Sequence, residues 1–204
     1  MSITFYEHSK TFRLDTRDSS YLMAISKYGD LLHLYYGDRI PDEDLSYLIE
    51  LRDRGFSPNP HEAGNDRTFS LDFLPQEFST SDSGDYRVES IGVRNADGSR
   101  IFAGKAAGHT IYSGKYKVPG MLSVRALEGE GTDTLEIRLK DAASGVSVVL
   151  YYGVFEEKNV ITRAVRVVNE GEGPIRLEKL MSVTLDFKEA NYDWITLDGR
   201  HMME

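Results

Sequence analysis

The sequence predicts an all-β protein in which antiparallel strands form a sandwich or a barrel. The first observation is a period of two: in Thr134–Lys140, the residues Leu135, Ile137 and Leu139 alternate with polar ones, as in a strand with one buried face. The second is that short polar or glycine-bearing connectors separate closely spaced segments of this kind. The third is that strand and helix patterns do not alternate along the chain, which disfavours a parallel sheet.

Six segments carry strand patterns, and Val146–Phe155 is the most apolar of them. It is almost continuously apolar and rich in Val and Tyr, which fits a strand that is buried on both faces. In the last segment, Met181, Val183 and Leu185 alternate with polar residues. The six predicted strands are Ser20–Ile25, Leu31–Tyr36, Thr134–Lys140, Val146–Phe155, Val160–Val168 and Ile175–Phe187.

One short helix is predicted, at Asp42–Leu51. Leu45, Leu48 and Ile49 have helical spacing, and the segment begins with three acidic residues, which the helix dipole favours in a first turn. Because the segment is short, its stability would have to come from packing.

The segment Gly55–Arg87 predicts a long, ordered loop. Pro58, Pro60 and Pro75, together with several Gly, Ser and Asn residues, prevent long regular elements. Its aromatic residues argue against disorder. We therefore expect an extended loop that contains at most one short strand, and loops of this length in a compact domain are usually functional.

Composition excludes several kinds of protein. The chain has 204 residues, enough for one domain with its own hydrophobic core. Its formal net charge of −9 disfavours nucleic acid as a partner. No apolar run approaches the ~18 residues of a membrane span, so we expect no membrane partner. The absence of cysteine excludes disulfides and thiol chemistry, and with the acidic composition it favours a cytoplasmic protein.

No standard catalytic or metal-binding signature is present. The five histidines are scattered, without the close spacing that builds a metal site on one element. Asn95, Asp97 and Ser99 have the spacing of a calcium loop, but the glycine is misplaced and the closing Glu is missing, so a hairpin turn is favoured. We expect no metal and no cofactor.

The long loop is also rich in carboxylates. A glycosidase needs two of them roughly 5–10 Å apart, but a chain with 33 acidic residues supplies such pairs by chance. Most are interpreted as parts of a solvated acidic loop that cap turns or pair with Arg67 and Arg87. Asp and Arg side by side nevertheless bind sugar hydroxyls well, because one accepts and the other donates hydrogen bonds. The acidic residues are Glu62, Asp66, Asp72, Glu77, Asp82 and Asp85.

Around this loop the sequence resembles the N-terminal region of glycoside hydrolase family 36 α-galactosidases. The matches cover almost the whole chain in the order found in the family. One segment departs from the pattern: Val118–Ser123 stands where the family usually has Gly-Leu-Pro-Ala. The matching segments are Leu51–Pro60, Asp66–Phe78, Ser83–Arg87, His109–Lys115, Val149–Gly171 and Leu180–Gly199.

The resemblance implies an antiparallel β-supersandwich, similar to that of galactose mutarotase, over residues 1–204 and cut short at its C-terminal end. In the family this sandwich packs against a catalytic (β/α)₈ barrel, which is absent from this chain. The family hydrolyses terminal α-D-galactosyl residues of melibiose- and raffinose-type sugars with retention, using two barrel aspartates. The resemblance therefore implies no catalytic residue in this chain and no activity for the chain alone.

The resemblance also gives the loop 51–87 a role in forming the sugar pocket and subunit contacts. The family's substrate contacts fall on Asp53 and Arg67 of this sequence. The alternative for Asp53 is a cap on the turn Ser57–Asn59, and the alternative for Arg67 is a structural bridge to Asp66 or Asp72. We interpret Leu71, Asp72 and Glu77 as structural residues that shape the loop through backbone hydrogen bonds.

The partners implied are α-galactoside oligosaccharides, the protein's own catalytic barrel and further copies of the chain in a homo-oligomer. A rival hypothesis from another class is a stand-alone carbohydrate-binding sandwich. Trp194, the only tryptophan, invites a sugar-stacking hypothesis, but its place at the end of a strand pattern favours packing in the core or at a domain interface.

Overall fold

The fold is known from a computed structural model that describes residues 2–53, 59–80, 86–127, 129–185, 187, 191–193, 195–196, 199 and 202. Every strand pairing in these residues is antiparallel. The strands described are β1 Ile3–Tyr6, β2 Thr11–Asp15, β3 Ser19–Ile25, β4 Leu31–Asp38, β5 Ile91–Arg94, β6 Lys105–Ser113, β7 Thr132–Lys140, β8 Val146–Phe155, β9 Val160–Asn169 and β10 Arg176–Leu180.

The described strands form three sheets. Strands β1 to β4 form the first sheet and β6 to β9 form the second, each in chain order, so every neighbour is joined by a hairpin. Strands β5 and β10 pair as a separate ribbon. This arrangement confirms the prediction of an all-β, antiparallel fold.

A single large core lies between the sheets. Phe12, Leu14 and Met23 of the first sheet pack in the same cluster as Leu135 and Leu150 of the second, and all five are at most 1% exposed. Ile91 and Val93 of the ribbon join this cluster. Burial of these side chains supplies the main driving force for the sandwich.

Strand β8 is buried on both faces, as its continuous apolar run predicts. Val148 and Leu150 point into the core and are at most 1% exposed. Val149 and Phe155, which point to the opposite face, are 5% and 2% exposed. β8 is the third strand of its sheet and pairs with both β7 and β9 over nearly its whole length.

The helix predicted at Asp42–Leu51 is wrong in extent and type. The segment contains one turn of 3₁₀ helix, Ser46–Leu48, which is closed by a hydrogen bond from the Ile49 amide to the Ser46 carbonyl. The Asp44 carboxylate accepts the Ser46 amide at 2.9 Å, an Asx turn that competes with helix continuation. Of the three apolar residues only Leu45 is buried, so packing does not stabilise a helix of ten residues.

Four strands were not predicted: β1, β2, β5 and β6. β1 and β5 have four residues each, too few to show a period. β2 carries the buried Arg13, whose guanidinium donates to the Pro41 carbonyl at 2.8 Å and to Asp15. β6 includes three consecutive residues of low strand propensity, Ala106, Ala107 and Gly108, and it has no buried side chain.

The predicted strand Ile175–Phe187 is shorter in the structure. Strand β10 ends at Leu180, which pairs with Ile91, the first residue of β5, the one strand that pairs with β10 within the described residues. One further backbone hydrogen bond joins the Met181 amide to the Ser90 carbonyl at 2.8 Å. The alternating pattern of Met181, Val183 and Leu185 therefore continues beyond the last residue that pairs with β5.

Candidate functional site

The long loop packs on the hairpin that joins β3 and β4, and its described parts are ordered. Phe69, Leu71 and Leu74 of the loop form a small second core with Leu32 of β4, and each of the four is at most 1% exposed. The Phe69 ring also meets Tyr28, in the hairpin turn, edge to face at 4.6 Å between ring centroids. This small core holds the loop against the sandwich, as expected for an ordered functional loop.

The C-terminal part of the loop is bound to β4 through its backbone. The His33 amide donates to the Pro75 carbonyl at 2.9 Å, and the Glu77 amide donates to the Leu31 carbonyl at 3.0 Å. Between them, Gln76 forms an isolated β-bridge with Leu32. These contacts are the short strand-like pairing that the loop was expected to contain.

The structure brings Asp53 and Arg67 together at the surface. An Nη2 of Arg67 lies 3.2 Å from Oδ1 of Asp53, and the two side chains are 58% and 57% exposed. Among the described residues, Arg67 therefore pairs with Asp53 and not with Asp66 or Asp72. The alternative role of Asp53, capping the turn Ser57–Asn59, involves residues outside the described ones.

A carboxylate and a guanidinium that lie side by side and open to solvent can bind vicinal hydroxyl groups. The carboxylate accepts a hydrogen bond from one hydroxyl and the guanidinium donates one to its neighbour, in a fixed relative geometry. Arg52 adds a second exposed cation nearby in sequence: its guanidinium lies 5.1 Å from the centre of the Phe73 ring, and its Nε donates to Glu50 at 2.6 Å.

Asp66, the residue before Arg67, has partners of its own. Its Oδ2 lies 2.6 Å from Nζ of Lys27, and its Oδ1 accepts the amide of Thr68 at 2.9 Å and the hydroxyl of Thr68 at 2.6 Å. The hydrogen bonds from Lys27, and then those from Thr68, hold the pKa of Asp66 far below its ordinary value. Both oxygens of this carboxylate are thus engaged away from Arg67.

Beneath the loop lies a buried cluster of polar side chains centred on Glu77. The fully buried carboxylate accepts the hydroxyl of Tyr21 at 2.7 Å and that of Tyr152 at 2.8 Å. Nη1 of Arg163 lies 2.8 Å from it, and Nδ1 of His33 lies 3.2 Å from it. The cluster joins the loop to both sheets, since Tyr21 and His33 lie on β3 and β4 while Tyr152 and Arg163 lie on β8 and β9.

The Glu77 carboxylate is stabilised in its ionised form by its partners in this cluster. Desolvation by itself would raise the pKa of Glu77, but Arg163, His33 and Tyr21 together lower it below the ordinary carboxyl value. Burial raises the pKa of Tyr21 and of Tyr152 well above that of a free phenol, so both hydroxyls stay protonated and donate to the carboxylate. The arrangement is a satisfied structural network, since every member has partners.

The expectation that Glu77 shapes the loop only through its backbone is therefore incomplete. Its amide does bind Leu31, but the carboxylate at the centre of the buried cluster was missed. A signal was present in the sequence: Arg163 stands at a core-facing position of β9, between Ile161 and Val165, where a charge requires a buried partner. Sequence alone does not say which of the 33 acidic residues that partner is.

Other expected features have simple outcomes. The Asn95–Ser99 segment is a turn, closed by a hydrogen bond from the Asn95 amide to the Ser99 carbonyl at 2.9 Å, but β5 before it pairs with β10, so the turn does not join two paired strands as a hairpin would. Within the described ranges there is no group of three or more His, Asp or Glu side chains placed to hold a metal ion. No helix in the same ranges is long and apolar enough to cross a membrane. Trp194 lies outside the described residues.

Comparison with known proteins decides the family. Residues 29–204 match the model of the glycosyl hydrolase family 36 N-terminal domain. The chain belongs to this family. The bifunctional α-galactosidase/sucrose kinase AgaSK of Mediterraneibacter gnavus is 42% identical to this chain over 204 residues, which are 100% of this chain and 22% of that protein.

Solved family 36 structures confirm the fold. The α-galactosidase AgaB from Geobacillus stearothermophilus superposes with a TM-score of 0.89 at 39% identity, covering 98% of this chain and 27% of that one. A variant of AgaA from the same organism, solved in complex with raffinose, gives a TM-score of 0.87 at 37% identity over 93% of this chain and 26% of that one. The chain thus spans about a quarter of the length of the family 36 proteins that it matches.

Proposed function

We propose that this chain is the non-catalytic N-terminal domain of a retaining α-galactosidase that acts on melibiose- and raffinose-type sugars. In this role the loop 51–87 helps to form the sugar pocket beside a catalytic (β/α)₈ barrel elsewhere in the polypeptide. The matched family model is that of an N-terminal domain, and a relative of the chain binds raffinose in its crystal structure. Both findings support the proposal.

The observation that carries the proposal is the exposed pair formed by Asp53 and Arg67. Their 3.2 Å separation and open position present one acceptor and one donor to solvent at the surface. An exposed ion pair contributes little to stability, so this geometry suits binding better than folding. We propose that the two side chains contact hydroxyls of the bound α-galactoside.

The proposal extends to the assembly and its location. Subunit contacts through the loop would make the protein a homo-oligomer, in which the pair lies at the pocket of its own or a neighbouring subunit. The cysteine-free, acidic composition supports a cytoplasmic location. Size-exclusion chromatography with light scattering on the full-length polypeptide tests the oligomer, and cell fractionation tests the location.

Substitution of the pair in the full-length polypeptide tests the site. Arg67→Met and Asp53→Asn should each lower kcat/KM for raffinose by about 10- to 100-fold, because a hydrogen bond to a charged group contributes about 1.5–3 kcal/mol. The melting temperature should change little. Arg17→Met is the matched control, since Arg17 and its partner Asp18 are 60% and 57% exposed, close to the values of the candidate pair. Wild-type kcat/KM in both site variants would refute the site.

Assays on the isolated chain test whether catalysis depends on the barrel. The isolated chain should not hydrolyse p-nitrophenyl α-galactoside, because the two carboxylates that the reaction needs are proposed to lie in the barrel. Turnover by the pure chain would refute this. Calorimetry with galactose, melibiose and raffinose completes the test, because saturable binding by the chain alone would instead favour a stand-alone carbohydrate-binding domain.

A further inference from the structure

Arg67 lies next to one carboxylate in the chain but pairs with one that is more distant in sequence. It pairs with Asp53, although Asp66 is its immediate neighbour in the chain. Neighbouring residues of these types can pair with each other in this protein: Arg17 binds the adjacent Asp18 through Nε at 3.1 Å and Nη2 at 2.9 Å. Adjacency in the chain therefore does not decide which carboxylate Arg67 binds, and the partners of Asp66 can account for the choice.

Lys27 binds the carboxylate of Asp66. Its Nζ lies 2.6 Å from Oδ2, while Thr68 uses Oδ1 on the other side of the carboxylate. The backbone around Asp66 is also held, because its carbonyl accepts Nδ2 of Asn59 at 2.8 Å and its amide donates to the Ala63 carbonyl at 2.9 Å. With its carboxylate and its backbone both engaged, Asp66 is held in place by partners other than Arg67.

Lys27 itself stands on a rigid support, the turn between β3 and β4. The Ser26 amide donates to the Asp30 carbonyl at 2.8 Å, and the Asp30 amide donates to Oγ of Ser26 at 3.0 Å. Asp30 is 5% exposed, and its carboxylate binds Nζ of Lys105 on β6 at 2.7 Å. The turn is thus tied to the second sheet, and Lys27 is presented to the loop from a fixed position.

We propose that Lys27 is a positioning residue for Arg67: by engaging Asp66, it leaves the Arg67 guanidinium paired with Asp53 and facing the sugar. This role rests on the proposed function, in which Arg67 and Asp53 contact the α-galactoside. Lys27 does not touch the sugar in this account. It acts through charge, by satisfying the carboxylate that would otherwise capture Arg67.

The test uses the full-length polypeptide with raffinose as substrate. Lys27→Met frees Asp66 and should lower kcat/KM by about tenfold, because a shift of a contacting group by about 1 Å can cost as much as 100-fold. Lys27→Arg keeps the charge and should stay near wild type. The double variant Lys27→Met with Asp66→Asn removes the competing charge and should recover kcat/KM, while the asparagine still accepts hydrogen bonds from Thr68.

The recovery separates this role from a purely structural one. If the ion pair merely stabilised the loop, removing its second member would not restore activity, so a double variant no better than Lys27→Met would overturn the proposal. Wild-type kcat/KM in Lys27→Met would do the same, provided that Arg67→Met is impaired. Lys158→Met is the matched control, since Lys158 is 53% exposed and paired with Glu130, and Lys27 is 54% exposed. This control should remain at the wild-type rate.

A crystal structure of Lys27→Met keeps this result distinct from the proposed function. We expect the Arg67 guanidinium to have moved from Asp53 to Asp66, and an unmoved guanidinium would overturn the positioning role. If Arg67 moves while Arg67→Met retains full activity, the positioning role stands and the proposed sugar contact fails.

Discussion

Replacing Glu77 by alanine is expected to lower the free energy of unfolding by about 3–5 kcal/mol, as for other buried ion pairs that lose one partner. The variant leaves Arg163 as a buried charge without its carboxylate. It also removes the acceptor of the Tyr21 and Tyr152 hydroxyls. Because the cluster joins the loop to both sheets, the loss should affect the whole fold.

Urea unfolding followed by circular dichroism measures this effect. Glu62→Ala is the control, because Glu62 lies in the same loop but is exposed, and such surface changes are usually within about 0.5 kcal/mol. A Glu77→Ala variant as stable as the control would contradict the central place given to this carboxylate.

Removing the opposite charge should have a similar effect. Arg163→Met is expected to cost about 3–5 kcal/mol because it leaves Glu77 buried and ionised without its cation. The double variant Arg163→Met with Glu77→Gln removes both charges. Its loss of unfolding free energy should be smaller than the sum of the losses measured for Arg163→Met and Glu77→Gln singly. Additive losses would show that the two side chains are not coupled.

The pairing of Glu77 with Arg163 also makes the stability of the fold depend on pH in acid. The pKa of Glu77 is lowered in the folded state, so below about pH 4.3, the ordinary glutamate value, the unfolded chain binds the proton more readily than the folded one. Stability from the ionised carboxylate is therefore present above that pH and is lost as the pH falls through the lower folded value. We compare the variants between about pH 5 and pH 3, which spans the ordinary carboxyl pKa. Over this range Glu77→Gln should lose less stability than wild type, because glutamine cannot ionise.

Local pattern was sufficient for the strands whose neighbours lie next to them in the chain. β8 has a long apolar run, β9 is rich in Val, and the two are joined by a short turn, so composition and the turn signal predict them. β10 ends opposite the first residue of its partner β5, which depends on a pairing between distant segments that no local pattern contains. The predicted helix failed for a similar reason, since only Leu45 of its apolar residues is buried.

The candidate site shows the same division. Asp53 and Arg67 were predicted from the family resemblance, and their mutual contact is new from the structure. It depends on the small core under the loop and on Lys27, which belongs to a hairpin 39 positions before Asp66. The Glu77 cluster needed side chains from four strands to converge, an arrangement that exists only in the folded chain.

The most direct test of the sugar site is a crystal structure of the full-length polypeptide with raffinose bound. We expect the Asp53 carboxylate and the Arg67 guanidinium to lie within hydrogen-bond distance, about 2.7–3.2 Å, of hydroxyls of the bound sugar. A raffinose-bound structure in which both side chains, from every subunit, lie beyond hydrogen-bond reach of the sugar would contradict the site.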